Sequence, residues 1–304
     1  MFTISQGDFG GAAISLVKFR FELNVSSDWH FLELLGTECA GVIEKVGNDV
    51  KSLVPVDRVA LEPGISYWRC DYSKEGLYNL CPDMKFLATP VHVSLANQAV
   101  HPADLCFKLP YNVSLEEGAI CEPLRVGIHA CCRANKRPAP KVIMQMWMIS
   151  GSVTKSLGAN SVVKVSRSIQ DADEEVLLIQ KAVDALIDVT FDCAGFDKAM
   201  STALSATRAD GKVCLVGMGH NEMTVQLNPT AASVDLFWCR EDDVIGIFCY
   251  KTTWSLCLEF IRSGKIYVKL LITHRFGFSQ KEVEDAFETS ARLGDAKGDV
   301  QPMR

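Results

Sequence analysis

The chain has 304 residues, 48% of them hydrophobic and 22% charged, which indicates a globular protein with room for two domains. Its formal net charge of −6 argues against nucleic acid or an anionic membrane surface as a partner. The apolar stretches are short and interrupted, so the sequence predicts no transmembrane helix.

The beginning of the chain and the cysteines predict a cytoplasmic protein. The first residues, MFTISQGDFGGAAIS, lack the basic and then apolar layout of a secretory signal. The sequence contains 12 cysteines, among them the adjacent pair Cys131 and Cys132. Others, such as Cys193, Cys214 and Cys249, lie in apolar segments, which is typical of small buried thiols in a reducing compartment.

The segment from Leu35 to Pro63 predicts part of a small antiparallel barrel, after one or two strands within residues 14–25. Gly41 and Gly47 mark bends between apolar residues. Glu38 is a carboxylate in a glycine-rich bend that leads into apolar surroundings. Two interpretations are open: Glu38 is a surface acid in a turn, or it is a metal ligand or charge partner at a cleft.

A capping box formed by Ser114 and Glu117 predicts the start of a helix that runs to about Asn135, after strand-like residues 86–110. Glu122 lies in this helix on an otherwise apolar face, where a carboxylate needs a partner. It is interpreted either as a residue of a functional cleft or as the partner of a nearby arginine, Arg125 or Arg133.

Residues 136–140 are rich in proline and predict a domain boundary. Residues 141–144 resemble the first strand of a dinucleotide-binding domain, but the glycine-rich phosphate loop, its helix and the strand ending in an acid do not follow. About one βαβ unit, roughly 30 residues, is therefore predicted to be missing. The turn Gly217-Met218-Gly219 lacks the third glycine and the helix of a dinucleotide fingerprint.

The rest of the chain alternates strands and helices. Strands are predicted at 161–165, 188–192, 212–216 and 244–248, and helices at 173–185, 196–208, 254–263 and 283–293.

Six sequence blocks together resemble the polyol-oxidising branch of the zinc-containing medium-chain alcohol dehydrogenase family. They are VALEPGIS, YNLCPDMKF, SLANQAVHPADLCFKLPYNVSLEEGAICEPL, FDCAGF, ATRADGKVCLVGMG and ITHRFGFSQKEVEDAFETSA. The resemblance covers nearly all of residues 20–293 in patches. It implies an α/β protein with a GroES-like β-barrel domain (1–136), an incomplete, doubly wound Rossmann-like domain (137–273) and a C-terminal helix that returns to the first domain (274–304).

The resemblance also implies an activity and a set of site residues. The expected reaction oxidises the C2 hydroxyl of a sugar alcohol to a ketose, with zinc lowering the pKa of the bound alcohol and NAD accepting the hydride. The implied catalytic residues are Glu122, Tyr250, His30 and Phe31, and the implied metal ligands are Glu38 and Glu122. The implied cofactor-binding residues are Val216, Gly217, Met218, Ile247, Phe248 and Cys249, the last in place of the family's arginine.

The chain departs from the family pattern where zinc should bind. Val25 stands in place of the first cysteine ligand and Thr37 in place of the histidine, whereas a catalytic zinc needs three protein donors. His30 and Cys39 are nearby donors, but the family geometry does not place them at the metal. Because the phosphate loop is also missing, the sequence predicts impaired or lost zinc binding, NAD binding and turnover.

The lobe at residues 64–81 departs from the family in the same way. Its structural zinc would need four cysteines, but only Cys70 and Cys81 remain, with Tyr67 and Ser73 at the other positions. Two thiolates cannot complete a closed tetrahedral site, so no structural zinc is predicted.

Three functional interpretations remain open on the sequence. The first is a polyol oxidoreductase, active or decayed. The second is a non-catalytic subunit that forms homo- or hetero-oligomers with related chains through the strands at 212–216 and 244–248. The third is a zinc-free reductase, against which the missing phosphate loop weighs, or a small-molecule binding module.

Overall fold

The computed structural model of the chain describes residues 37–86, 98–134, 140–145, 151–163, 172–218 and 240–276, with the backbone of 16–22 and residues 281, 282, 285, 286, 288 and 289. The chain divides into two compact units, 1–125 with 251–304, and 126–250. His30, Phe31 and Val25 lie outside the described residues. The predicted domain limits at 136 and 273 stay predictions.

The first unit is built on an antiparallel sheet, as expected from its alternating apolar residues. The described strands follow the order β6-β1-β2-β3-β7, and a short hairpin pairs β4 with β5. The strands are β1 Leu16–Glu22, β2 Ala40–Val46, β3 Arg58–Leu61, β4 Gly64–Ile65, β5 Lys85–Phe86, β6 Gln98–Pro102 and β7 Cys106–Lys108.

Apolar residues of β2 and β3 form the core of this sheet. Ile43, Val59 and Leu61 are almost completely buried and belong to one cluster with Cys39 and Leu53. Burying each of the larger side chains contributes about 1.5–3 kcal/mol. The sheet therefore fixes the backbone that leads into Glu62, which directly follows β3 and donates its N–H to the Leu105 carbonyl at 2.9 Å.

Arg58, at the start of β3, ties the sheet to the loop that follows β7. Its guanidinium donates hydrogen bonds to the carbonyl groups of Val113 (2.7 Å), Pro110 (3.0 Å) and Tyr111 (3.0 Å). One side chain thus donates to three loop carbonyl groups, of which that of Pro110 also accepts from the Val113 backbone at 3.1 Å.

The helices of the first unit are short apart from the one that contains Glu122. They are α1 Asp71–Lys74, α2 Leu115–Ala119, α3 Cys121–Arg133 and α7 Trp254–Arg262, with 3-10 turns at Tyr78–Leu80, Ala103–Leu105 and Val268–Leu271. The division between the units falls within α3.

The capping box predicted for α2 is confirmed. Glu117 accepts a hydrogen bond from the Ser114 backbone at 2.9 Å, and Ser114 accepts one from the Glu117 backbone at 3.2 Å. The predicted single helix is interrupted at Ile120, so α2 and α3 are separate helices.

The second unit contains a parallel sheet with the described strand order β11-β10-β9-β8. Its strands are β8 Val142–Gln145, β9 Ile187–Asp192, β10 Thr207–Leu215 and β11 Asp243–Gly246, and its helices are α4 Gly151–Ser156, α5 Ala172–Val183 and α6 Asp197–Ala206. Val176 and Ile179 of α5 pack with Ile187 and Ala206. The α/β fold class is confirmed.

Two local predictions differ from the structure. β10 begins at Thr207 rather than at residue 212, because α6 ends at Ala206 and the chain enters the sheet at once. Residues 161–163 are not a strand, and 164 and 165 lie outside the described residues. The missing βαβ unit stays a prediction, since residues 146–150 and 164–171 are not described either. No helix in the described part of the chain is long and apolar enough to cross a membrane.

Candidate active site

Thr37 and Glu38 lie in the turn that enters β2. Both side chains are half-buried, and the next residues, Cys39 to Gly41, are buried. The Cys39 carbonyl accepts a hydrogen bond from the Leu61 backbone at 3.2 Å, which fixes this turn against β3. The turn therefore holds Glu38 at the edge of the barrel core, and its role as a metal ligand or charge partner stays a prediction.

Glu122 is the second residue of α3 and is half-buried. At the first turn of a helix a carboxylate is favourably placed relative to the helix dipole. Arg125, one of the two arginines considered as its partner, forms a buried ion pair with Glu62, at 3.2 Å. The role of Glu122 at a metal or cleft stays a prediction.

A buried charge cluster, made of Glu62, Arg125, Thr253 and Trp254, lies beside α3. Trp254 donates its ring N–H to Glu62 at 2.8 Å, and the Arg125 guanidinium lies over the Trp254 ring, 3.8 Å from the centroid. Arg125 also donates to the Thr253 hydroxyl at 3.3 Å. The cluster brings the opposite charges of a carboxylate and a guanidinium together where both are removed from water.

Aromatic groups surround this buried charge cluster. Phe107 stacks on Trp254 with centroids 4.4 Å apart, and the Tyr78 hydroxyl accepts a hydrogen bond from the Thr252 backbone at 2.8 Å. Burial and the negative charge of Glu62 raise the pKa of Tyr78 to about 12, so its phenol is protonated at neutral pH.

His101 donates to the Glu62 carbonyl at 2.8 Å, and burial lowers the pKa of His101 to about 4.

The predicted cofactor residues of the second unit lie after β10 and β11. Val216 and Gly217 both donate their backbone N–H to the Asp192 carbonyl, at 2.8 and 2.9 Å. Val216 and Gly217 are half-buried, while Met218 is mostly exposed. Residues 216–218 thus lie at the carboxyl end of the sheet, where parallel α/β proteins bind ligands.

Asp192 also organises the turn that follows β9. Its carboxylate oxygen Oδ1 accepts from the backbone of Ala194 at 2.9 Å and of Gly195 at 3.2 Å. Burial raises the pKa of Asp192, although these two hydrogen bonds oppose the shift. The other oxygen, Oδ2, is buried and makes no hydrogen bond within the described protein, so a protonated Asp192 would carry a donor there.

The turns at 193–195 and 216–218, here called the strand-end turns, approach each other closely. Gly195 has φ +72°, and a Cβ on it would lie 2.7 Å from the Met218 carbonyl oxygen. A Cβ on Gly217 would lie 2.5 Å from the Gly195 nitrogen. Both glycines are therefore required by contact between two backbones.

The segment after β11 also lies at the carboxyl end of the parallel sheet. Ile247 donates its N–H to the Leu215 carbonyl at 2.9 Å, which keeps it beside β10. Cys249 has φ +48°, Phe248 is half-exposed and Tyr250 is buried. The predicted cofactor residues are thus brought together at one edge of the sheet of the second unit, while Glu38 and Glu122 belong to the first.

The donors in the described part of the chain do not form a zinc site. Among the described residues, no group of three or more histidine, cysteine or acidic side chains is arranged to hold a metal ion. Thr37 supplies a neutral hydroxyl next to Glu38 in place of an imidazole. A neutral hydroxyl is a poor zinc ligand compared with imidazole or thiolate.

Two family models match the chain and define the class of protein. An alcohol dehydrogenase GroES-like domain matches residues 21–111, and a zinc-binding dehydrogenase domain matches residues 126–263. A crystal structure of an Escherichia coli oxidoreductase of unknown specificity has the same fold, with a TM-score of 0.77 and 25% identity over 92% of this chain and 89% of that one. The barrel and the parallel sheet are thus those of an alcohol-dehydrogenase-type oxidoreductase.

Two plant proteins narrow this class. The chain is 60% identical to a sorbitol dehydrogenase of Arabidopsis thaliana, over 86% of this chain and 78% of the relative. It is 56% identical to an L-idonate 5-dehydrogenase of Vitis vinifera, over 86% of this chain and 77% of the relative. The chain therefore belongs to the plant sorbitol and L-idonate dehydrogenase group of the zinc-binding dehydrogenase family. This family depends on zinc and NAD(P).

Asp192 and Glu62 support the candidate site through buried hydrogen bonds and ion pairs, but neither was predicted from the sequence as a site residue. Asp192 was predicted only as the end of a strand, and Glu62 only as part of the block VALEPGIS. A signal existed for Asp192, because an acid that ends a buried parallel strand and precedes a glycine turn lies at the ligand-binding edge. No comparable local signal connects Glu62 with Trp254, which lies 192 positions further along the chain.

Proposed function

We propose that the chain keeps the framework of a polyol dehydrogenase, whose reaction is the oxidation of the C2 hydroxyl of a sugar alcohol with NAD, and that its own turnover is impaired. The observation that supports impairment is the donor set around Glu38. Thr37 replaces the imidazole donor, Val25 replaces the thiolate donor, and two carboxylates do not make a catalytic zinc site. The substrate class is supported by the two plant relatives.

NAD binding is proposed to be weak and limited to the nicotinamide side. The strand-end turn at 216–218 and residues 247–250 supply an ordered edge, which supports this half of the site. The sequence lacks a glycine-rich phosphate loop after β8, and such a loop normally contributes much of the affinity for the pyrophosphate.

The decisive experiment measures zinc per purified chain together with NADH formation from sorbitol. We expect substoichiometric zinc, and turnover about 1000-fold or more below that of the Arabidopsis relative assayed alongside, because losing several kcal/mol of metal stabilisation has that effect. Stoichiometric, tightly held zinc with turnover near that of the relative would refute the proposal.

A paired variant tests the cause of the impairment. The double variant Val25→Cys with Thr37→His restores the family's thiolate and imidazole, and we expect its zinc content to rise toward one ion per chain. The matched control Val25→Ala with Thr37→Ala changes both positions without adding donors and should leave zinc content unchanged. An equal rise in both variants would show that these positions do not limit metal binding.

A second candidate function is that of a non-catalytic subunit. The observation that favours it is β11, which has one neighbour, β10, among the described strands. Val244 in this strand is 45% exposed, and Phe248, two residues after its end, is 51% exposed. An open, apolar strand edge is a surface that pairs with another chain. The cytoplasmic location and the oligomeric state stay predictions.

Co-purification tests the subunit candidate. A tagged chain expressed together with the full-length Arabidopsis relative should retain it, and Val244→Lys should abolish retention. The control Val162→Lys places the same charge at a 41% exposed position outside the strands. A monomer that retains no relative would exclude this function.

A further inference from the structure

The lobe that follows β4 brings two of its cysteines together. Here the cysteine lobe means residues 67–81, which contain α1, the turn Tyr78–Leu80, and the two thiols Cys70 and Cys81. The Cys81 side chain lies within hydrogen-bonding reach of Cys70. Two of the four positions that would complete a metal site hold a tyrosine and a serine, so this thiol pair has no role in the proposed function.

Protein groups already point hydrogen-bond donors at both sulfur atoms. The backbone of Tyr67 donates to the Cys81 sulfur at 3.3 Å, and the backbone of Ser73 donates to the Cys70 sulfur at 3.4 Å. The Ser73 hydroxyl lies 3.0 Å from the Cys70 sulfur. Such donors stabilise a thiolate, and the Ser73 hydroxyl lowers the pKa of Cys70.

The two thiols differ in their access to solvent. Cys70 is partly exposed, whereas Cys81 is buried. The surrounding side chains of Tyr67, Trp68 and Tyr72 are 42–50% exposed, so small molecules in solution reach the cysteine lobe. An accessible thiol with a lowered pKa beside a second thiol is the arrangement of a reactive and a resolving cysteine.

We propose that Cys70 and Cys81 form an oxidisable dithiol site whose co-reactant is hydrogen peroxide and whose product is an intrachain disulfide. The Cys70 thiolate attacks one peroxide oxygen, the O–O bond breaks, and the leaving hydroxide takes a proton to become water. The resulting sulfenic acid is attacked by the Cys81 sulfur, which loses its proton as a second water leaves. Two thiols are oxidised by two electrons in total, and one molecule of hydrogen peroxide is reduced.

A second cysteine pair in the same unit provides an internal comparison. Cys121 and Cys257 are also neighbours, and the Cys257 thiol donates to the Cys121 carbonyl at 3.7 Å. Both are completely buried, and the neighbouring Cys257 together with burial raises the pKa of Cys121 well above its ordinary value. This buried pair should stay reduced under conditions that oxidise the cysteine lobe.

The experiment is peptide mapping of the full chain before and after treatment with hydrogen peroxide. Unreacted thiols are alkylated in denaturant, and trypsin then cleaves after Arg69, Lys74 and Lys85, which separates Cys70 from Cys81. We expect residues 70–74 and 75–85 to be recovered as one disulfide-linked pair after oxidation, and as two alkylated peptides after a reductant is added. Cys121 and Cys257 should be alkylated in both samples.

Two variants locate the reaction. In Cys81→Ser the disulfide should be lost and the sulfenic acid at Cys70 should be trapped by dimedone. The control Cys132→Ser removes an exposed cysteine outside the lobe and should leave the disulfide yield unchanged. If Cys81→Ser does not fold, peptide mapping of the unaltered chain is sufficient to show whether the disulfide between Cys70 and Cys81 forms.

Two results would overturn the proposal. One is alkylation of both Cys70 and Cys81 at peroxide doses that already oxidise Cys132. The other is recovery of Cys70 as a disulfide with a different cysteine. Neither result depends on zinc, NAD or turnover, so this inference and the proposed function fail independently.

Discussion

Glu62 is a carboxylate that the fold removes almost completely from water. Its two oxygens are used by Arg125 at 3.2 Å and by Trp254 at 2.8 Å, and Arg125 is itself fully buried. Removing one partner of such a pair leaves an uncompensated buried charge, which costs more than the pair contributes.

We therefore expect Glu62→Gln to lower the free energy of unfolding by about 3–5 kcal/mol, because the Arg125 charge loses its counter-ion. Urea denaturation measures this effect. The control is Glu259→Gln, which breaks a pair with Arg262 whose side chains are 47% and 49% exposed. That pair should contribute little to stability, because water and salt screen two exposed charges. Equal losses in the two variants would contradict the importance of burial.

His101 gives the protein a defined sensitivity to acid. Its pKa is about 4 in the folded chain and 6.5 in the unfolded chain, so between these values the unfolded state binds more protons. Stability is therefore lost as the pH falls from 6.5 to 4, by about 3 kcal/mol from this residue in total.

His101→Asn keeps a hydrogen-bond donor but does not titrate, so we expect it to flatten the loss of stability across this pH range. Thermal unfolding at several pH values compares the two proteins. The variant should be the less acid-sensitive chain even if its stability at pH 7 is lower. Parallel pH profiles would mean that His101 is not the group that takes up the proton.

At the scale of single elements, the strand-end turns depend on glycine. Gly195 has φ +72°, and its Cα lies against the backbone of the other turn. A methyl group there would require both turns to move apart, and residues 216–218 would move with them.

Gly195→Ala should lower the free energy of unfolding by about 2–4 kcal/mol, through left-handed strain and overlap with the Met218 carbonyl. The matched control is Gly246→Ala in β11, where an added Cβ would meet no atom within 4 Å. This change should stay within about 1 kcal/mol. Denaturant unfolding of both variants checks the prediction, and similar losses would argue against the close approach of the turns.

The elements that depend on local sequence were predictable, whereas the contacts between distant residues were not. The α2 capping box is formed by Ser114 and Glu117, which are only three positions apart in the sequence. β9 is a buried parallel strand in the structure, as predicted. The departure at Thr37 was also visible, because it falls inside a motif. The buried charge cluster was not predicted, because Glu62 and Trp254 meet only after the barrel and α7 are assembled.

At the scale of the whole molecule, the chain should not depend on a structural metal. The cysteine lobe has two thiols and hydrogen bonds that already use both sulfur atoms. A structural zinc stabilises a fold only when four donors close the site.

Treatment with EDTA is therefore expected to leave the midpoint of thermal unfolding unchanged. Differential scanning calorimetry before and after dialysis against the chelator measures the shift. The double variant Val25→Cys with Thr37→His serves as the control, because restored donors should make its midpoint sensitive to the chelator. A marked decrease for the unaltered chain would reveal a metal that its described donors do not account for.

The hydrogen bonds from Arg58 to the loop after β7 have a consequence for protein engineering. Tyr111 has a side chain that is 92% exposed, which would make it an attractive place to insert a tag or a reporter peptide. Its carbonyl and those of two nearby residues are nevertheless anchored to one guanidinium. Residues inserted at Tyr111 would move these three carbonyl groups away from the Arg58 guanidinium and break their hydrogen bonds. This loop should therefore tolerate a substitution at Tyr111 but not an insertion.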